Sequence, residues 1–91
     1  MNLFLLGQTV ATPGALAALS AANADGKLFL YRHARGDWGT VCKADAKEND
    51  RAVCTGERIL SAYKLPRTDV TLWIITEADR SVTTLLLPEE Y

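Results

Sequence analysis

The chain has a single histidine, His33, and its two cysteines, Cys42 and Cys54, stand apart with no CxxC pair. A metal site needs several His, Cys or carboxylate donors at workable spacing, so no metal is expected. If residues 43–55 form a helix, the cysteines lie about 18 Å apart along its axis, far beyond the roughly 7 Å that a disulfide tolerates. Two free thiols in a reduced compartment are expected. No Gly-rich phosphate loop appears, so no nucleotide cofactor is expected. Ser61 and Ser81 sit in strand-like runs without a nucleophile elbow. There is no excess of one charge either. Lys+Arg 10 against Asp+Glu 11, scattered along the chain, leaves a net charge of −1, which argues against a nucleic-acid partner. No segment reaches the roughly 18 apolar residues of a membrane span. The opening MNLFLLGQTVATPGALAALSAANA lacks the charged start of a signal peptide, and Gly7, Gln8, Thr9, Thr12 and Pro13 interrupt its apolar run. A cytoplasmic location without a membrane partner is the expectation.

What is present is strand-forming sequence in the last third. RILSAYKL (58–65), VTLWIIT (70–76) and SVTTLLL (81–87) are separated by Pro66-Arg67-Thr68-Asp69 and Glu77-Ala78-Asp79-Arg80. Two short turns between three such runs predict a three-stranded antiparallel meander. Four-residue loops pair Leu65 with Val70 and Thr76 with Ser81. Ile59, Ser61, Tyr63, Leu72, Ile74, Thr83 and Leu85 then share one face, and Leu60, Ala62, Trp73, Ile75, Val82, Thr84 and Leu86 the other. Both faces are largely apolar, unlike a sheet with one wet side.

The first two thirds alternate a strand with helices. NLFLLGQTV (2–10) reads as a buried strand. Thr12-Pro13 is a helix start, with Thr12 as N-cap and Pro13 in the first turn, and the helix that follows carries Leu16 and Leu19 on one side. KLFLYRHAR (27–35) fits a strand or a helix. Phe29, Leu30 and His33 on one helical face, with Gly36 after Arg35, favour the helix. KADAKENDRAVCTG, closed by Gly56, predicts an exposed helix with a thin inner stripe of Ala46, Asn49, Ala52 and Val53. The expected fold is a single α+β domain over 1–91: an amino-terminal strand, three short helices, and a carboxyl-terminal three-stranded antiparallel meander that the first strand joins at an edge.

The order ATPGAL (11–16), RHARGDWG (32–39), Asn49-Asp50, RILSAY (58–63), WIITEADRS (73–81) and LLPEEY (86–91) resembles a family of small bacterial proteins of about this length, carried on plasmids and integrative elements. The resemblance spans nearly the whole chain. It implies a genomic setting in which small proteins interfere with host defence or serve maintenance, and it supplies no mechanism. Labels tying such proteins to type I restriction–modification subunits do not suit this chain, which has neither room for a methyltransferase fold nor a cofactor-binding Gly motif.

Arg32, His33, Asp37 and Trp38 form the densest polar constellation. On one continuous helix His33 and Asp37 would share a face, as a general base with its orienting carboxylate. Gly36 breaks that helix. The alternative gives His33 to the helix end, Asp37 to a side-chain-capped turn and Trp38 to the core. At the second hairpin Glu77, Asp79 and Arg80 form a charged tip, with Arg80 placed to pair with Glu77. Two functions follow from these residues. The first, and favoured, is a non-enzymatic module binding a protein partner or a second copy of itself, since three short helices cannot cover two apolar sheet faces. The second is a small enzyme using His33 with Asp37 or Glu77 as acid and base.

Overall fold

The protein is described by a computed structural model covering residues 2–91. Strand β1 (Gln8–Ala11) leads into helix α1 (Pro13–Ala21), followed by α2 (Gly26–Ala34) and α3 (Lys43–Thr55). Strands β2 (Ile59–Lys64), β3 (Thr71–Thr76) and β4 (Val82–Leu86) come next, and a 3-10 turn at Pro88–Glu90 ends the chain. The fold is α+β, with a four-stranded mixed sheet in the order β1-β4-β3-β2.

The helices begin where local chemistry dictates. The Thr12 hydroxyl accepts the Ala15 N–H at 3.1 Å, and Pro13 occupies the first turn. Asp25 caps α2 by accepting the Lys27 N–H at 3.0 Å. Gly56, at φ 80°, closes α3 in the left-handed conformation that glycine adopts without steric cost. Residues 27–35, ambiguous by pattern, lie almost wholly in α2. In α1 the inward residues are Ala15 and Leu19, followed by Ala22 at the C-cap, whereas Leu16, expected beside Leu19, is exposed.

β2–β3–β4 is the expected antiparallel meander, and its first hairpin has the expected register, Ala62 opposite Trp73. The second hairpin differs. Thr76 pairs with Thr83, not Ser81, because the turn is shifted: Glu77 closes against Val82 at 3.1 Å, and Arg80 adopts φ 60°. The shift is two residues in register, so every side chain keeps its face; a one-residue slip would have exchanged the faces. The first strand also departs from expectation. Only Gln8–Ala11 is extended and paired, and it runs parallel to β4. Gly7 breaks the run: its φ is 66°, and a Cβ there would collide with the Arg80 and Ser81 carbonyl oxygens. Upstream of it the chain leaves the sheet, and the Leu3 N–H donates to the Ala34 carbonyl at the end of α2.

One sheet face is sealed. Ile59, Ser61, Tyr63, Leu72, Ile74, Thr76, Thr83 and Leu85 are all buried, beneath a main core shared with α1 and α2 and a smaller one of Phe4, Trp38, Ala52 and Ile59. On the opposite face Ala62, Ile75 and Leu86 are buried while Leu60, Trp73, Val82 and Thr84 are half-buried. The carboxyl terminus folds back over it, with the Tyr91 ring edge-on to Trp73 at 5.8 Å. The Glu90 carboxylate meanwhile holds the Thr12 hydroxyl at 2.5 Å and the Gly14 N–H at 3.1 Å.

The free edge of β2 is also covered. The Asn49 side chain donates to the Leu60 carbonyl at 2.8 Å and accepts its N–H at 3.3 Å. The loop after α2 pairs with Ala62, whose N–H donates to the Trp38 carbonyl and whose carbonyl accepts the Thr40 N–H. Gly39 lies between, at φ 75°, so close that an added Cβ would overlap the Ala62 carbonyl oxygen. Gly56 has a similar φ but open space around it. Gly39→Ala is therefore expected to destabilise the protein by about 3 kcal/mol or more, through backbone strain plus a displaced loop. Gly56→Ala should cost about 1 kcal/mol. Urea titration of the two variants separates these effects, and equal losses would contradict the seating of residues 38–40 on β2.

Candidate functional site

The last turn of α2 and the loop behind it bring Arg32, His33, Asp37 and Trp38 together, but at two different depths. Arg32 and Asp37 are at the surface. The Arg32 Nε donates to Asp37 Oδ2 at 2.7 Å, and the guanidinium lies 4.7 Å above the Tyr63 ring. That bond holds the Asp37 carboxyl below its ordinary range, helped by the Gly39 N–H. Beneath them the Tyr63 hydroxyl donates to the Asp37 carbonyl at 2.6 Å, and burial pushes the phenol up to about 12. Asp37 is thus a tied turn residue whose two carboxylate oxygens are both engaged.

His33 lies underneath, fully buried. Its ring faces Phe4 edge-on at 5.3 Å and Trp38 at 6.0 Å. Trp38 is anchored through its indole N–H to Asp50 at 2.9 Å. Nδ1 of His33 is 2.5 Å from the Ser61 hydroxyl, and Nε2 is 2.9 Å from the Thr76 hydroxyl. No carboxylate reaches the ring. Thr76 in turn meets the Thr83 hydroxyl at 2.7 Å, and Thr83 donates to the Leu6 carbonyl at 2.7 Å.

The proton positions along this row follow from its terminus. A carbonyl only accepts, so the Thr83 proton points at Leu6, and the Thr76 proton must then point at Thr83. Thr76 is left to accept from Nε2–H. With the imidazole neutral, Nδ1 accepts the Ser61 proton, and one direction of donation satisfies every group. The same surroundings oppose the cation: burial, and secondarily the nearby charge of Arg80, lower the His33 pKa to about 4.

Arg80 reaches this region from the second hairpin. Its guanidinium lies 5.4 Å above the Phe4 ring. It donates to the carbonyls of Glu57 at 2.7 Å, Ala52 at 2.9 Å and Glu77 at 3.2 Å. The expected pairing with Glu77 therefore runs to the backbone carbonyl. Ala52 lies in the last turn of α3, where a cation is favoured by the helix dipole. Asp79 accepts the Ser81 N–H at 3.0 Å and shapes the turn. Glu77 and Asp79 do not join the histidine.

Pattern reading missed the partners of His33, Ser61 and Thr76, the continuation of the row through Thr83, and the role of the inward-facing Asn49 as a clamp on the β2 edge. The signal was there: hydroxyl side chains alternating onto an otherwise apolar sheet face must find hydrogen-bond partners when buried, and the lone histidine can both donate and accept. Among the described residues no group of three or more His, Cys, Asp or Glu could hold a metal, and both cysteines are free and exposed. No helix among them is long and apolar enough to cross a membrane. Comparison with family models, with curated proteins and with solved structures gives no match to this chain.

A histidine that holds its proton less tightly when folded makes the unfolded chain the better proton acceptor. Its stabilising contribution is full above about pH 6.5, declines on acidification and is gone below about pH 4, a loss of about 3 kcal/mol. His33→Gln should be less stable at neutral pH, yet its unfolding free energy should fall less steeply between pH 6.5 and 4. Parallel slopes for the two proteins would contradict a buried, neutral His33.

Proposed function

We propose that this chain is a non-enzymatic protein-binding module. The observation that carries the reading is where reactive and apolar groups lie. The imidazole is sealed between two hydroxyls with no carboxylate within reach, so it has neither the access nor the partner that general-base chemistry needs. Large apolar side chains, by contrast, stand in solvent. Leu3, Leu5, Val10, Leu16, Leu28 and Tyr31 are each at least 39% exposed. Two open depressions of about 240 Å³ each share Lys27 and Leu30, one bordered by Val10 and Leu16, the other by Leu6 and Tyr31. Exposed apolar side chains gathered at such depressions support an interaction role.

In this reading the binding surface centres on these depressions and not on the rear of the sheet, which its own side chains and the Tyr91 tail partly shelter. The surface ion pair of Arg32 with Asp37, and the Arg80 hairpin, support recognition at a second position. The family resemblance supports a mobile-element setting, and within it we propose inhibition of a host defence protein as the role.

The test is affinity capture from a bacterial host with the purified chain as bait, run beside Leu16→Glu and Tyr31→Glu. Both side chains are exposed, so these variants should melt within a few degrees of the parent while losing at least tenfold of the captured partner. Capture unaffected by both substitutions would move the surface elsewhere. An empty capture from a chain that is also monomeric would remove the binding reading.

A further inference from the structure

The two edges of the sheet are treated differently. At β2 the outward-facing backbone groups of Leu60 and Ala62 are all hydrogen-bonded, by the Asn49 side chain and by residues 38–40. At β1 nothing comparable exists. Gln8 and Thr12 donate to the Ser81 and Leu85 carbonyls of the neighbouring chain segment, so residues 8, 10 and 12 turn their backbone groups toward β4. By alternation Thr9 and Ala11 turn theirs outward. No described residue bonds them, and Gln8, Thr9 and Val10 are exposed. An uncovered edge is a template for another strand, and proteins usually blunt one with charge, proline or a bulge. The sequence here, Gln8-Thr9-Val10-Ala11, has no charge and no proline within the strand.

Resting on the protein-binding reading above, we propose that the β1 edge pairs antiparallel with β1 of a second copy of this chain, joining two four-stranded sheets across a twofold axis. Self-pairing suits this edge for three reasons. First, an antiparallel twofold makes Thr9 face Ala11 of the other copy and Ala11 face Thr9, so two outward residues per chain exchange all of their donors and acceptors. Second, the axis passes through Val10, which then meets its own counterpart in a close non-hydrogen-bonded pair, and neither side carries charge to repel its image. Third, the apolar depression bordered by Val10, Leu16 and Leu30 runs along this edge, with Asp25 and Lys27 at its rim. One charge of each sign on each copy keeps that rim from repelling its image. A strand of four residues supplies few hydrogen bonds, so burial of this flank supplies the rest of the association.

Sedimentation velocity of the full chain over a hundredfold concentration range should show a reversible monomer–dimer equilibrium. Val10→Lys and Val10→Glu alter an exposed side chain. Each alone should be monomeric and melt near the parent temperature, and an equimolar mixture should dimerise again. In a Cys42→Ser/Cys54→Ser background, Val10→Cys should oxidise to a covalent dimer at least tenfold faster than Thr71→Cys, a strand position far from the axis. A chain that stays monomeric throughout, or Val10 variants that still dimerise separately, would overturn the pairing. Capture of a host protein by such a monomer would leave the binding reading standing, and Val10→Lys blocking that capture would assign the edge to the other protein instead.

Discussion

The structure depends on one directional row of hydrogen bonds, running from the Ser61 hydroxyl through both nitrogens of His33 to Thr76, Thr83 and the Leu6 carbonyl. It joins β2, α2, β3, β4 and the amino-terminal segment within the buried face of the sheet. Each member is a polar group in a setting that penalises unpaired polar groups by about 1–3 kcal/mol apiece. Because the terminal carbonyl can only accept, the row has one internally consistent arrangement, which pins the helix to the sheet in one register. A row of apolar side chains would pack there with less directional preference. The aromatic ring of Phe4, edge-on to His33 and near-parallel to Trp38 at 6.2 Å, closes the amino-terminal side of this row against water.

That dependence explains why the densest polar motif reads as chemistry in the sequence and as architecture in the structure. His33 and Asp37 are four residues apart, but the helix ends between them: Gly36 adopts φ 87° and Asp37 folds back to donate its N–H to the Arg32 carbonyl. The imidazole and the carboxylate part at that break, the first turning into the core and the second toward Arg32. Local spacing reports shared faces only while a helix continues, and the residue that stops this one lies inside the motif.

Much of the fold was legible because it follows from local rules. Thr12 and Pro13 announce α1, Gly56 ends α3, and period-two alternation assigned the buried face of the meander correctly even where the second turn was misplaced by one residue on each side. The parts that were not legible depend on distant contacts. Gly7 ends the extended run only because the Arg80 and Ser81 carbonyls pass beside it. The parallel pairing of β1 with β4 joins segments more than seventy residues apart, with α1, α2 and α3 between them. Leu16 and Leu19 are close enough on a helix to share a side, and only the tilt of α1 over the sheet decides that one is buried and the other exposed. Of the candidate site, the spatial grouping of Arg32, Asp37 and Trp38 was foreseeable from sequence. The hydroxyl partners of His33 were visible only as unexplained polar residues on an apolar face.

Small proteins have limited interior, and ninety-one residues divided between helices and a sheet cannot cover every surface they create. This chain concentrates its coverage. The helices seal one sheet face, Asn49 and the loop through Gly39 occupy the β2 edge, and the Tyr91 tail shelters part of the rear. The β1 edge is left open, where the backbone groups of Thr9 and Ala11 and the exposed Val10 stand beside an apolar depression lined by Leu16 and Leu30. Hydrogen-bonding capacity and apolar area at the same boundary complement an extended strand with apolar neighbours.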